Sequence, residues 1–327
     1  MRRFGLAKVA VVMALGISKI GWSSDHQLLY ARELSLPAYQ LATLAKDAPI
    51  TDLRLSSPTN LLMIGQTSLW SWDLASGKLV RTQLVTPSER FASPLRHIGS
   101  DGLNDFVSSD NKLFELAWTS GRILRFDIAE PDRALGFAGE GDNFWLIKAH
   151  HIFRIDRYTK AVLARYDYNI SDVTKYVFDP QSRRLWYLAQ REVRYIALDG
   201  PDRQSHVSAK LRSMGLDLQM TKHELVALSA SALIRLSFAG KPLQSVPVEG
   251  RRKLHNMALN DVSHAYLFDD GNLEIYNVPL KSTSAAQIPS DLVANTSLMR
   301  FDRDVLAILA AGSPRVFRLS VDKLGDE

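Results

Sequence analysis

The chain contains no cysteine, and this absence removes several chemistries at once. It can form no disulfide, can carry no lipid on a cysteine, and has no thiolate for catalysis or metal binding. An exported chain without cysteine suits the bacterial periplasm, where an unpaired thiol would be exposed to oxidation. The absence is therefore compatible with a periplasmic protein and indicates no activity.

A long hydrophobic run is missing from the amino-terminal region. The apolar segment from Val9 to Ile17 is shorter than the roughly 20 apolar residues that a membrane-spanning helix needs. Arg2, Arg3 and Lys8 precede it, and small residues around Ser23 follow it, which is typical of a secretory signal peptide. We therefore predict a signal peptide over residues 1–23, a periplasmic mature protein and no membrane span after cleavage. Retention of this segment as a membrane anchor is the alternative.

Surplus charge is also missing from the predicted mature chain. The sequence has 40 Lys and Arg against 35 Asp and Glu, but the four basic residues of the signal leave with it, so 36 remain. Nucleic-acid binding needs a clustered surplus of Lys and Arg over the phosphates. We therefore expect no nucleic-acid partner, although the pI of the full sequence is high.

The motifs of several enzyme classes are absent. The sequence has no Gly-Lys-Ser phosphate loop, no Gly-x-Ser-x-Gly nucleophile elbow and no zincin helix. His150 and His151 are adjacent, but consecutive strand residues point to opposite faces, so one ion would not reach both without a turn. We expect no metal site and no cofactor, and we assign no catalytic residue. A triad assembled from distant parts of the chain stays open.

What the sequence does contain is a repeat. A short apolar strand recurs at steps of about 39 to 44 residues, close to the roughly 40 to 50 residues of a propeller repeat. A strand that adjacent sheets cover on both faces is apolar at nearly every position. The seven copies are LLMIG from Leu61, DFVSS from Asp105, FWLIK from Phe144, LWYLA from Leu185, LVALS from Leu225, AYLFD from Ala265 and LAILA from Leu306.

The flanking segments complete each repeat. A first strand precedes every apolar strand, a third follows it, and glycine turns such as Ser76-Gly77, Ser120-Gly121, Asp199-Gly200 and Ala239-Gly240 lead to a fourth. The pattern predicts an all-β fold, a seven-bladed β-propeller with four-stranded blades. Since no linker interrupts the repeat, we expect residues 24–327 to form a single domain.

The last repeat is incomplete, because the chain ends soon after its third strand. The strand-like segment from Gln27 to Leu36 precedes the first repeat and belongs to none. Exposed sheet edges in such a fold must be paired. We predict that this amino-terminal strand closes the last blade; a flexible lead-in is the alternative.

Two repeats end in a recognisable pattern. The segments SLWSWDLASGKLVRTQ, over 68–83, and HIFRIDRYTKAVLARYD, over 151–167, resemble the Asp-x-x-Ser/Thr-Gly/Lys-Lys/Ala-Val ends of YVTN-type and pyrroloquinoline-quinone-like propeller repeats. The resemblance implies a secreted propeller. No activity can be inferred for this chain from the resemblance, because no set of quinone-contacting and calcium-binding residues is recognisable here.

First strands lie nearest the axis of a propeller, so their polar side chains can line its channel. These strands carry several cationic and imidazole groups that could together bind a small acidic ligand. The candidates are Arg54, Arg96, His97, Lys175, His255 and Arg300. The alternative is that several point between blades or pair with acids such as Asp302 and Asp304.

Aromatic residues concentrate in the second to fourth repeats and offer a second kind of site. Aromatic side chains near arginine are what protein interfaces favour. The candidates for contact with a partner protein are Trp118, Tyr158, Tyr166 and Tyr168. Packing within the blades is the alternative, and it explains Trp145 and Trp186 at least as well.

Two functions remain compatible with the sequence. The first is a non-enzymatic interaction or assembly module of an envelope, secretion or redox complex. The second is an enzyme or enzyme subunit with a site in the channel, such as a lyase, a lactonase or the propeller subunit of a quinoprotein-type dehydrogenase. A propeller scaffold by itself does not choose between them.

Overall fold

The computed structural model describes residues 26–47, 49–84, 95–100, 104–109, 112–117, 122–127, 134–170, 173–199, 204–247 and 253–321. Across these ranges the strands form seven sheets, and helix is limited to two short segments. The amino-terminal elements are β1 (His26–Leu28), β2 (Tyr30–Leu34) and α1 (Ala38–Ala45).

The first four blades are meanders of four antiparallel strands. Blade one contains β3 (Asp52–Ser57), β4 (Asn60–Ile64), β5 (Ser68–Asp73) and β6 (Leu79–Gln83). Blade two contains β7 (Arg96–Ser100), β8 (Asn104–Ser109), β9 (Lys112–Ala117) and β10 (Arg122–Asp127). Blade three contains β11 (Ala134–Glu140), β12 (Asn143–Lys148), β13 (His151–Asp156) and β14 (Val162–Asp167). Blade four contains β15 (Val173–Asp179), β16 (Arg184–Ala189), β17 (Glu192–Ala197) and β18 (Ser205–Lys210).

The remaining three blades repeat this order. Blade five contains β19 (Gly215–Met220), β20 (Leu225–Ser229), β21 (Ala232–Leu236) and β22 (Pro242–Pro247). Blade six contains β23 (Leu254–Leu259), β24 (Ser263–Phe268), β25 (Asn272–Asn277) and β26 (Ser282–Gln287), and a short helix α2 (Ser290–Val293) leads out of it. Blade seven contains β27 (Thr296–Asp302), β28 (Val305–Ala310) and β29 (Ser313–Ser320). The predicted all-β, seven-bladed propeller is confirmed.

The second strands form the hydrophobic centre of each blade. All six residues of β24 and of β28 are buried, because neighbouring blades cover both faces of these strands. The first strands adjoin one another around the axis, with β27 next to β3 at the point where the ring closes. The recurring apolar runs therefore mark blade cores, as their spacing predicts.

Turns between third and fourth strands use glycine where the backbone requires it. Gly77 and Gly240 have φ of +69° and +85°, a region in which a side chain is strained. The Ser120-Gly121 pair and Gly200 lie outside the described residues.

The amino-terminal strand closes the ring as predicted. β2 pairs antiparallel with β29, in register from Tyr30 with Ser320 to Leu34 with Val316, and becomes the outer strand of blade seven. β1 adds a contact that the repeat did not predict, because it pairs parallel with β26 at the outer edge of blade six. The same segment then continues through α1, also unpredicted, whose Leu44 is buried in the core shared by blades seven and one.

Candidate functional site

The central channel contains a cavity of about 740 Å³, lined by the first strands of all seven blades. Most of the lining residues come from the carboxyl-terminal halves of these strands, such as Leu55, Phe137, Met220, Leu259 and Phe301. The cavity therefore lies toward the face that carries the turns between first and second strands.

Strand register shows that Arg54 and Arg300 occupy equivalent positions in their blades. In every blade, one residue of the first strand pairs with the residue at the corresponding repeat position of the second strand. The residues at this position are Arg54, Gly99, Ala138, Val177, Gln219, Ala258 and Arg300. The charged members of this set are Arg54 and Arg300, so the cations that line the cavity come from the adjacent blades seven and one.

Arg300 is held in place by the backbone of blades seven and one. Its Nε donates to the Leu53 carbonyl at 3.1 Å and its Nη1 to the Met299 carbonyl at 3.2 Å. Its Nη2 lies 3.6 Å from Oδ1 of Asp52, which is an ion pair but longer than a hydrogen bond. The guanidinium thus links the two ends of the ring while lining the cavity.

Arg54 is held by a carboxylate, whereas Arg300 is held mainly by backbone carbonyls. Its guanidinium forms an ion pair with the carboxylate of Asp105 on β8, and Asp105 is almost fully buried. A buried carboxylate needs such a partner, since an unpaired charge would be costly there. Arg54 therefore joins blade one to blade two as well as lining the cavity.

Asp302 brings a negative group to the same wall. It follows Arg300 by two positions on β27, so both side chains leave the strand on one side, and both line the cavity. Burial raises the pKa of the Asp302 carboxyl, and Asp304 acts in the same direction while Arg303 opposes it. The charged wall thus combines cations with one acid.

The opposite wall is apolar and partly aromatic. Phe137, Tyr176, Val177 and Leu218 line it from blades three to five. Phe137 stacks on Phe106 with ring centroids 3.9 Å apart, which fixes the ring at the border of the cavity.

The predicted ligand-binding residues divide between two ends of the channel. Arg54 and Arg300 line the cavity, whereas Arg96, Lys175 and His255 lie in the amino-terminal halves of their strands and are not among its lining residues. Lys175 Nζ lies 3.7 Å from Asp217 Oδ1 of the next blade, and His255 Nε2 lies 3.3 Å from the Thr296 carbonyl of the next blade. The side chain of His97 lies outside the described residues.

Several polar side chains of the first strands connect successive blades. Gln219 Nε2 donates to the Met257 carbonyl at 2.8 Å, and its Oε1 accepts from the Leu259 amide at 3.0 Å. Asn260 Nδ2 donates to the Phe301 carbonyl at 3.3 Å. Sequence reasoning missed these residues, although Gln219 occupies the same repeat position as Arg54 and Arg300. Part of the polar lining therefore holds blades together, as the alternative stated.

The predicted partner-binding aromatics differ in accessibility. Tyr158 is 74% exposed in the turn after β13, and its hydroxyl donates to Asp142 Oδ1 at 3.3 Å. Tyr166 is half-buried against Trp145, with ring centroids 5.7 Å apart. Tyr168 is buried and its hydroxyl donates to the Lys148 carbonyl, so its ring offers no surface to a partner, contrary to our expectation. Trp118 lies outside the described residues.

Of the adjacent histidines, His151 contacts an acid and an arginine on the neighbouring strand. His151 Nδ1 lies 2.7 Å from Asp167 Oδ1 on the neighbouring strand, and Arg165 Nε donates to the same oxygen at 2.8 Å. In the described part of the chain no group of three or more His, Cys, Asp or Glu side chains could hold a metal ion. No helix of that part is long and apolar enough to cross a membrane.

Comparison with known proteins gives the fold and nothing finer. No family model matches the sequence, and no curated protein matches it. A chain in a crystal structure of the mitotic checkpoint complex is similar with a TM-score of 0.59 at 12% identity, over 98% of this chain and 99% of that one. The crystal structure of the computationally designed Ika8 protein is similar with a TM-score of 0.55 at 12% identity, over 82% and 83%. As 1471 chains match this architecture, the likeness does not indicate a function.

Proposed function

We propose that this propeller is a non-enzymatic interaction module of a protein complex in the cell envelope. The observation that carries the proposal is a group of exposed apolar side chains at one corner of blade three. Tyr158, Val162 and Leu163 are 74%, 59% and 51% exposed, all within six residues of the chain. A rigid scaffold that presents large apolar side chains at a strand edge is suited to dock a partner protein.

The strand at this corner supports the same proposal. β14 is the outer strand of blade three, so one edge of its backbone is not paired within the sheet. Edge strands can accept an extended segment of another protein, with exposed side chains on either face adding specificity. Arg165 and Asp167 on the same strand supply charges beside the apolar residues.

We further propose that residues 1–23 are a cleaved signal peptide, that the mature chain from residue 24 is one domain, and that it resides in the periplasm. The apolar segment after Arg2, Arg3 and Lys8 supports export. The repeat ends over 68–83 and 151–167 support a place among YVTN-type and quinone-type repeat propellers.

The experiment compares the wild type, one double variant and one single control variant by capture of partners from envelope extracts. Tyr158→Ser with Leu163→Ser removes the corner of blade three, and Leu243→Ser removes a side chain of 57% exposure from the outer strand of blade five. We expect a partner that the wild type and the Leu243 variant retain and the blade-three variant loses. Equal retention by all three proteins would disprove the assignment of this corner.

Export is tested separately by fractionation and intact mass. Protein expressed from the full-length sequence should appear in the periplasmic fraction with the mass of a processed chain that begins at Ser24. A full-length mass in the membrane fraction would favour the anchor alternative.

A further inference from the structure

The cavity in the channel has two unlike walls. Blades seven and one contribute Arg300, Arg54 and Asp302, whereas blades three to five contribute mainly apolar and aromatic side chains such as Phe137 and Tyr176. A site with one charged side and one apolar side favours a ligand that has the same division.

Arg300 has hydrogen-bond donors that its protein partners do not use. A guanidinium carries five N–H groups. The Leu53 and Met299 carbonyls accept one each, and the contact with Asp52 at 3.6 Å exceeds hydrogen-bonding distance. The side chain is 35% exposed and lines the cavity, which places it within reach of a ligand there. The two backbone contacts fix the guanidinium before any ligand arrives, which lowers the entropy cost of binding.

The size of the cavity limits the occupant. A volume of about 740 Å³ lies within the range of small-molecule sites and is too small for a folded partner. We propose that the channel binds a small organic anion with an apolar body, whose acidic group is held by Arg300 and whose body lies against Phe137 and Tyr176. This site is distinct from the corner of blade three, so either proposal can fail without the other.

Asp302 provides a second test of the proposal, because its carboxylate should weaken the binding of the same anion. Its carboxylate lies on the charged wall and repels an anion that Arg300 attracts. Removing the cation and removing the acid must therefore change affinity in opposite directions. A variant that merely loosened the fold would not give that pair of results.

The probe is 8-anilinonaphthalene-1-sulfonate, which joins a sulfonate to an apolar aromatic body. N-phenyl-1-naphthylamine has the same rings without the charge and serves as the comparison ligand. Fluorescence titration of the wild type should show saturable binding of the sulfonate. We expect Arg300→Gln to weaken the sulfonate about tenfold, since a charge-assisted contact is lost, while the uncharged probe changes little.

Three further variants complete the test. Arg300→Lys should retain part of the affinity, and Asp302→Asn should tighten sulfonate binding about threefold. Arg96→Gln removes a cation from the other half of a first strand and should leave binding unchanged. Absence of saturable binding, equal affinity for the two probes, or a loss in Asp302→Asn would overturn the proposal. If Arg300→Gln fails to fold by circular dichroism, the comparison of the probes and Asp302→Asn decides.

Discussion

Glu33 and Arg315 are 282 residues apart in the chain and form a two-armed ion pair across the last blade. Nε and Nη2 of the guanidinium donate to Oε1 and Oε2 of the carboxylate, the second at 2.6 Å. The pair joins β2 to β29 at the seam where the amino-terminal segment completes blade seven. The ion pair marks the place where the ring closes. The paired backbone and the buried apolar residues around it contribute more to the free energy of unfolding.

The first prediction concerns this seam. Deletion of residues 26–36 should lower the melting temperature sharply, because it exposes the edge of β29 and removes Leu36 from the core. Glu33→Gln should cost only about 0 to 1 kcal/mol, since the ion pair is more than one-third exposed. A synthetic peptide of residues 26–36 added to the deletion variant should restore part of the loss. Differential scanning calorimetry measures all three; an unchanged transition after deletion would contradict the closure.

The second prediction concerns Asp47, which fixes the amino-terminal segment to blade one. This buried carboxylate accepts hydrogen bonds from the Thr67 amide at 2.8 Å, the Thr67 hydroxyl at 2.9 Å and Trp70 Nε1 at 2.8 Å. Asp47→Ala should lower the free energy of unfolding by about 2 to 4 kcal/mol, because three donors lose their acceptor. Asp47→Asn should lose less, since its amide oxygen can still accept.

Gly65 provides an independent check on Asp47. A Cβ at Gly65 would overlap the Asp47 carboxylate, so Gly65→Ala should displace it and mimic Asp47→Ala. Asp199→Asn, on an exposed side chain, is the control and should change little. Urea unfolding followed by tryptophan fluorescence gives the comparison. If Gly65→Ala behaves like the control, the network around Asp47 does not anchor the segment.

The sequence predicts the blades well for a physical reason. A second strand such as β28 is covered on both faces, so burial appears as an uninterrupted apolar run that repeats with each blade. The parallel pairing of β1 leaves no such trace, because three residues at a sheet edge need no periodic pattern. α1 is similarly short and follows no repeat.

The candidate site was less accessible to sequence reasoning. Arg54, Arg96 and Arg300 look alike as polar residues of first strands, but strand register places only Arg54 and Arg300 in the cavity. Bulges shift that register in these strands, for instance between Thr296 and Leu298, and a sequence does not reveal where they occur. Whether a cation faces the channel or the next blade depends on contacts between distant parts of the chain.

The third prediction concerns pH and a buried histidine. Burial lowers the pKa of His264, with Arg235 acting in the same direction and Glu224, 3.9 Å from His264 Nε2, opposing it. Tyr266, with its hydroxyl 3.3 Å from His264 Nδ1, and Tyr276 complete the groups around the ring. Because the pKa is lower in the folded protein, the unfolded chain binds a proton more readily. The free energy of unfolding is therefore highest above about pH 6.5 and falls below that pH, by up to about 1.4 kcal/mol per pH unit.

The variant His264→Gln isolates this contribution. Its free energy of unfolding should depend less on pH between about pH 7.5 and 5.5 than that of the wild type, because no imidazole must stay neutral in the core. His206→Gln changes a histidine on the outer strand of blade four and should keep the wild-type dependence. Parallel slopes for wild type and His264→Gln in urea unfolding would show that His264 is not responsible.

The fourth prediction concerns the contacts that hold blade five against blade six. Gln219 satisfies the Met257 carbonyl and the Leu259 amide of the next blade, so Gln219→Leu leaves both without a partner. We expect a loss of about 1 to 3 kcal/mol in the free energy of unfolding. Gln244→Leu, on the exposed outer strand of blade five, should cost less than about 1 kcal/mol. Hydrogen exchange should also show faster exchange of the Leu259 amide in Gln219→Leu, since this amide loses its acceptor. Equal stability of the two variants would mean that apolar packing alone holds these blades together.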